Sequence, residues 1–485
     1  MNARTTAPAA ALAIALLTAG CRVGPEHAPP SPPLPAAYAA ASADALAADE
    51  SLLASWWTAF DDPALTRLVT RALQDGCDVR EAAARVAAAR AGVGAAGAAR
   101  WPTLGAGADA TRLRLSGNAL FAPPVVRTAT QYQVGFDSSW ELDLFGRVQH
   151  GVDAAAADLA ASEALAHDAR VRLAAEVART YLALRVAAAR QSAAEAAHGL
   201  AAEQAALAQA RSVAGVATAT ELDAAVAARE AAAAVPPAFA LAVAEATQQL
   251  AVLVAAPVAA IQDDLAAAPI PRGPAVVAAG LPADLLRRRP DVRAAERALA
   301  AQAARVGVAT ADLYPRLSLN GVFAFTSTST DTLFDAGSRT FGFGPALQLP
   351  LFRGGALRAQ LAAATAEVDA ARVRHERAVR TACAEVETAL AALTLQTRRR
   401  DLAAAALAAE QQRAAARRAL HEQGLVDWSA VLTADADAVA RRSELAQAEG
   451  DSALARLALF KALGGGWPAA NDAPAIGQPA RGNGG

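Results

Sequence analysis

The chain is 485 residues long and nearly balanced in charge, with 45 Lys and Arg against 47 Asp and Glu and a formal net charge of −2. That balance leaves no electrostatic footprint for nucleic acid, and length alone is only a soft prior on domain number. Ala is heavily used and the bases are almost all Arg, which reads as a GC-rich coding bias and points to no function.

At the N-terminus, Arg4 precedes an apolar run from Ala9 to Leu17. At nine residues it is too short for a membrane-spanning helix, which needs about 20, and it reads as a signal peptide over 1–20. Its end, Ala19-Gly20-Cys21, resembles a bacterial lipobox, with Thr18 where Leu is usual. Cys21 would then be the lipidated first residue of the mature chain, carrying palmitate-type acyl groups, and 21–60 an extended lipidated segment. Arg22, rather than Asp, follows the Cys, which by analogy with bacterial sorting favours the outer membrane. Cys77 and Cys383 are expected to be buried thiols behaving as small hydrophobes rather than a disulfide. No CxxC or Cys/His cluster is present, so no metal, cofactor or catalytic thiol is expected.

Beyond residue 60 the chain repeats itself. Asp78-Val79-Arg80 recurs as Asp291-Val292-Arg293, Val93-Gly94 as Val306-Gly307, and Trp101-Pro102-Thr103-Leu104 as Tyr314-Pro315-Arg316-Leu317, all at an offset of 213. Gly215-Val216 likewise has a partner in Gly424-Leu425. Repeat 1 covers 61–270 and repeat 2 covers 271–463, leaving 464–485 as a Gly- and Pro-rich tail expected to be disordered. Each copy reads as a helical segment, two strands, a very long helix, a Gly-marked turn and a returning helix. Between Ala356 and Gln423 there is neither Pro nor Gly, and about 68 helical residues would reach roughly 100 Å, longer than a compact globule uses. Leu361, Val368, Val379, Val386, Leu393 and Leu407 are spaced by 7, 11, 7, 7 and 14, a coiled-coil seam with one stutter.

The strand candidates are 102–113, 131–145, 316–326 and 341–352. In the second, Tyr132, Val134, Phe136, Trp140, Leu142 and Leu144 alternate with Gln131, Gln133, Asp137, Glu141 and Asp143. Strand side chains point to alternate faces, so one face must meet something apolar while the other keeps Asp137, Glu141 and Asp143 in water. The lengths suit tilted transmembrane strands with lipid outside and a wet lumen inside. Alternation alone is equally met by a soluble β-sandwich; the secretory signal and the helix lengths favour the membrane. Four strands cannot close around water, and an open edge is intolerable in lipid, so several copies must share one barrel.

With these features in hand, Ser139-Trp140-Glu141-Leu142-Asp143-Leu144-Phe145-Gly146, the run from Leu281-Pro282-Ala283-Asp284 through Arg289-Pro290-Asp291-Val292, and Leu459-Phe460-Lys461-Ala462 before Gly464-Gly465-Gly466-Trp467 resemble the outer-membrane factor family of TolC-like efflux channels. The lipoprotein branch typified by OprM and NodT is the nearest pattern. The resemblance implies a homotrimer of mainly α chains: four strands per chain in a shared 12-stranded barrel, continued by a periplasmic α-helical barrel and belted by the pieces near 61–90 and 280–310. It implies partners in outer-membrane lipid, a periplasmic adaptor and an inner-membrane efflux pump of resistance-nodulation-division type, whose exit duct for drugs or other small molecules this chain would form. The tip of the duct would lie at the turns around Gly215, Thr220 and Asp223 and around Gly424 and Asp427, the first turn being the longer. Thr220 to Asp223 has the form of a capping box, and Asp427 can cap the second returning helix. Asp435 and Asp437 are expected to be solvated. A duct for type I protein secretion and a non-conducting coiled-coil lipoprotein are the alternatives, and no phosphate-binding or catalytic motif suggests an enzyme.

Overall fold

A computed structural model describes residues 22–26, 28, 38, 50–114, 128–274, 277 and 288–467. The signal segment, Cys21, Leu281 to Arg287 and the tail beyond Trp467 lie outside the described residues.

The repeat is realised element by element. After α1 (Glu50–Ala54) and a short 3-10 turn, copy one runs α2 (Pro63–Asp75), α3 (Cys77–Ala98), β1 (Thr103–Arg114), β2 (Thr128–Leu142), α4 (Arg147–Val213), α5 (Ala219–Ala233) and α6 (Val235–Leu253). Copy two runs α7 (Pro290–Ala311), β3 (Arg316–Ser327), β4 (Arg339–Gln348), α8 (Ala356–Glu422) and α9 (Trp428–Ala462). The two long helices, α4 and α8, are each 67 residues. Their Ala-rich interiors have the highest helix propensity and little side-chain entropy to lose. The copies differ in the returning helix. In copy one Pro236 and Pro237 remove two backbone donors, and the helix restarts at Val235, whereas α9 is continuous.

Two compact units cut across the repeat: one takes residues within 1–31, 87–161 and 295–375, the other those within 32–86, 162–294 and 376–485. The first holds the sheet, ordered β1-β2-β3-β4 and antiparallel throughout, so that β2–β3 pairing joins the two copies while β1 and β4 are edges within the chain.

The second unit holds the large core. Trp56 is fully buried and stacks on Phe460 with ring centroids 5.7 Å apart; Leu65, Leu68, Tyr181, Leu182, Leu250 and Val386 surround them. Tyr181 donates to Asp62 Oδ2 at 2.7 Å and accepts from Arg185 Nη2 at 2.7 Å, so a buried hydroxyl is satisfied on both sides. Arg289 is clamped by Asp291 at 2.7 Å and Glu385 at 2.6 Å, and donates to Ala462 O at 3.0 Å.

Three expectations need correction here. Glu50 to Phe60 is helical rather than extended, because Trp56, Trp57 and Phe60 are core residues. Gly464 to Trp467 is not a disordered tail: Gly466 N donates to Leu53 O at 2.8 Å, and Trp467 is buried with Nε1 donating to Arg288 O at 3.1 Å. Cys77 and Cys383 are both free thiols, as expected, but only Cys383 packs against the core; Cys77 opens α3 and is exposed.

Candidate functional site

In the sheet, cross-strand partners share a face, so the register defines two surfaces. On one, Phe136 opposes Ala106 and Phe323, and Phe323 opposes Phe341; Trp140 opposes Leu319, and Leu317 joins Leu142 to Leu347. On the other, Asp137 opposes Gly105 and Val322, Ser139 opposes Thr103 and Asn320, and Glu141 opposes Ser318. Ser139 Oγ donates to Asn320 Oδ1 at 2.8 Å, and Asn320 Nδ2 to Ser318 Oγ at 3.3 Å, a polar ladder across the middle of the sheet. Among the described residues much of the apolar face is left uncovered: Phe136 is 54% exposed and Phe341 73%.

The three carboxylates expected side by side have different surroundings. Asp137 sits over Gly105, where a Cβ would come within 2.7 Å of its Oδ1, and has no ion pair among the described residues. Glu141 is held two-pronged by Arg147, with Nε at 2.7 Å and Nη2 at 2.6 Å. Asp143 lies beyond the strand, and its carboxylate accepts from the backbone N of Gln149 at 2.7 Å in the first turn of α4. That recruitment ends β2 at Leu142, so neither Asp143 nor Leu144 belongs to the alternating series. Leu144 N instead closes a tight turn onto Leu142 O at 2.8 Å, and Leu351 N does the same onto Leu349 O at 3.0 Å. In copy two Pro350 can donate no ladder bond, so β4 stops at Gln348 and Leu349 and Leu351 fall outside it.

The hairpin tips, in the second unit, are built to one plan. Gly215 and Gly424 both have φ of 73°, the left-handed region glycine favours. Val216 N donates to Arg211 O at 2.8 Å and Leu425 N to Leu420 O at 2.9 Å, the six-residue closure of a Schellman cap. Three residues after each glycine comes the next N-cap. Asp427 accepts from Ala430 N at 3.1 Å, as expected. In copy one the cap is Thr218, whose Oγ1 accepts from Glu221 N at 3.2 Å while Glu221 reaches back to Thr218 N at 2.7 Å. The capping box therefore starts two residues before Thr220, and the turns are equal in length. Thr220 and Asp223 sit inside the first turns of α5. Asp435 pairs with Arg418 at 2.6 Å and Asp437 with Arg413, so these carboxylates tie α9 to α8; Asp435 is largely covered, whereas Asp437 stays half-exposed and solvated, as expected. Arg211 reaches Asp427 at 3.5 Å, linking the two tips.

This geometry has close counterparts among known proteins. The family model for outer membrane efflux protein matches residues 68–256 and 281–465. The chain is similar to the outer membrane protein OprJ of Pseudomonas aeruginosa, 36% identical over 94% of this chain and 95% of that one. It is also similar to the solvent efflux pump outer membrane protein SrpC of Pseudomonas putida, 32% identical over 93% and 97%. Among solved structures, the outer-membrane channel OprN superposes with a TM-score of 0.81 at 32% identity, over 92% of this chain and 100% of that one.

Proposed function

Because this chain belongs to the outer membrane efflux protein family, we propose that three copies assemble into a passive exit duct of a tripartite, resistance-nodulation-division-type efflux system, passing drugs or other small molecules. The observation that carries the reading is the sheet: apolar on one face, polar on the other, with β1 and β4 both unpaired inside the chain. Pairing β4 of one copy with β1 of the next closes 12 strands without leaving an edge in lipid. The apolar face then meets acyl chains and the polar ladder lines water.

In this reading Cys21 is acylated and tethers the duct to the outer membrane, and the equivalent tips of α4–α5 and α8–α9 form the periplasmic end, where an adaptor and an inner-membrane pump engage. Energy comes from those partners. The wet face carries less charge than its sequence suggests, since Arg147 compensates Glu141 and Asp143 caps a helix. Asp137, together with Asp109, which opposes Gln133 on the same face, is left to supply the rings of carboxylates that bias the bore towards cations.

Recording from the purified full-length protein in planar bilayers tests this. Discrete conductance steps with cation preference, the preference falling in Asp137→Asn, are expected. Absence of steps would return the chain to a structural spacer, and anion preference would remove Asp137 from the lumen.

A further inference from the structure

We propose that the outer end of each seam between copies binds the phosphates of an outer-leaflet glycolipid, through Arg112 and Arg114 of one chain and Arg339 of the partner subunit. The inference rests on the reading of this sheet as part of a shared barrel.

Parity sorts the charges of the four strands. Asp109, Asp137 and Glu141 lie on the polar face, as does Arg316, which pairs with Asp312 at 2.5 Å. Arg112 opposes Thr130, Arg114 opposes Thr128 and Arg339 opposes Phe325, so all three stand on the face of Phe136 and Phe341. All three are exposed, and no strand carboxylate shares that face. None has an ion pair among the described residues: Asp331 and Asp335 of the β3–β4 loop pair with none of them, and Leu115 to Arg127 contains no Asp or Glu.

Their level in the sheet is as particular as their face. β1 leaves α3 and ends at Arg114, and β4 begins at Arg339 and runs back towards α8, so the three bases mark the loop end of the hairpins. An aromatic band lies just inboard: Phe325 packs edge-on against Phe323 and Phe334, each at 5.6 Å between centroids, and Tyr132 opposes Ser327 beside it. Aromatic girdles stand at the membrane–water boundary, which puts the guanidinium groups at head-group height. A cation facing acyl chains is costly, but one that reaches a phosphate gains forked, charge-assisted hydrogen bonds.

The arginines also keep to the edge strands. At this level the inner strands β2 and β3 have Thr128, Thr130 and Ser327 on the same face and no base. Closure of the barrel lays β4 of one copy against β1 of the next, so three uncompensated cations gather at each seam. Arg112 and Arg114, two strand residues apart, are separated by about 7 Å. One phospholipid phosphate leaves most of that charge unmatched. A multiply acylated glycolipid with two phosphates on its sugars comes closer, and the hydroxyls opposite Arg112 and Arg114 suit its sugar and phosphate oxygens.

The test uses the purified full-length trimer, mixed in turn with diphosphoryl lipid A, the same lipid after phosphatase treatment, phosphatidylglycerol and inorganic phosphate, with bound molecules counted by native mass spectrometry. Up to three diphosphoryl lipid A molecules per trimer are expected, with the dephosphorylated lipid and phosphatidylglycerol retained about tenfold less. Arg112→Gln combined with Arg114→Gln, and separately Arg339→Gln, should each lower retention by about tenfold while trimer yield and conductance steps stay normal. Retention that ignores the phosphates, equal retention of phosphatidylglycerol, or binding of inorganic phosphate without the lipid overturns the inference on the wild-type chain alone. Loss in one variant but not the other removes the shared seam site. In each of these cases the duct reading stands as long as conductance persists, and a wild-type chain that neither trimerises nor conducts overturns both.

Discussion

Thr218 and Thr220 are two residues apart at the first hairpin tip, yet only Thr218 satisfies an otherwise unpaired helix donor. Losing an N-cap hydroxyl costs about 1 kcal/mol, so Thr218→Ala should raise amide hydrogen exchange at the start of α5 by roughly fivefold, and Thr220→Ala should leave it nearly unchanged. Equal effects would mean that the box does not form in solution. His167 makes a second prediction at this scale. Its ring lies 4.6 Å from that of Trp467, and burial, reinforced by Arg170 and Arg293, lowers its pKa to about 4. An unfolded histidine titrates near 6.5, so the unfolded chain binds the extra proton first as pH falls. The neutral ring's contribution is complete above about pH 6.5 and is lost as pH falls towards 4. The thermal midpoint should therefore drop across that window, and His167→Phe, which keeps the ring contact with Trp467 and cannot charge, should flatten the drop. An unchanged pH profile in the variant would place the titration elsewhere.

Among the elements, Gly450 decides how closely α9 approaches α4. A Cβ there would stand 2.2 Å from Val186 Cγ2. Ala gains about 1 kcal/mol of helix propensity over Gly, but overpacking costs about 1–3 kcal/mol, and a contact that short lets the clash win. Gly450→Ala should thus lower thermal stability, and adding Val186→Ala should restore much of it, a coupling that two independent sites would not show. Nothing in the sequence marked this glycine, because a Gly inside a helix pattern carries no sign of its neighbour. The same limit explains Trp56 and Trp467, whose partners come from distant segments and whose surroundings in sequence read as loop or tail. By contrast the alternation of β2, the repeat offset of 213 and the glycines at 215 and 424 were legible, since each is a local rule: strand parity, self-similarity and the left-handed turn. Strand ends were not, because β2 stops where Asp143 is drawn to Gln149 N, a competition between side chain and ladder that residue types leave open. The ion pairs of Asp435 and Asp437 were missed for the same reason, since their arginines lie on the other arm of the hairpin, across the Gly424 turn.

For the whole molecule, the decisive matter is which side of the sheet meets lipid. Exposure cannot settle it: within one chain Val322 and Phe323 are 43% and 42% accessible, almost the same. Parity separates them, because Val322 shares a face with Asp137 and Phe323 with Phe136 and Phe341. The same substitution at these adjacent positions is therefore a direct probe. A lysine facing lipid costs about 2–4 kcal/mol near mid-bilayer, once per subunit, whereas a lysine in the lumen stays hydrated and only changes the charge of the bore. Phe323→Lys should sharply reduce the yield of folded, heat-modifiable trimer in the outer membrane. Val322→Lys should assemble at close to the normal level and shift conductance away from cations, since its ammonium lies beside Asp137. If instead Val322→Lys blocks assembly while Phe323→Lys is tolerated, the barrel is inside out relative to the face assignment, and Asp137 is exchanged for the aromatic stripe as the lining. If both assemble equally, the strands do not cross a membrane at all, because lipid on either face of the sheet would penalise the lysine that met it.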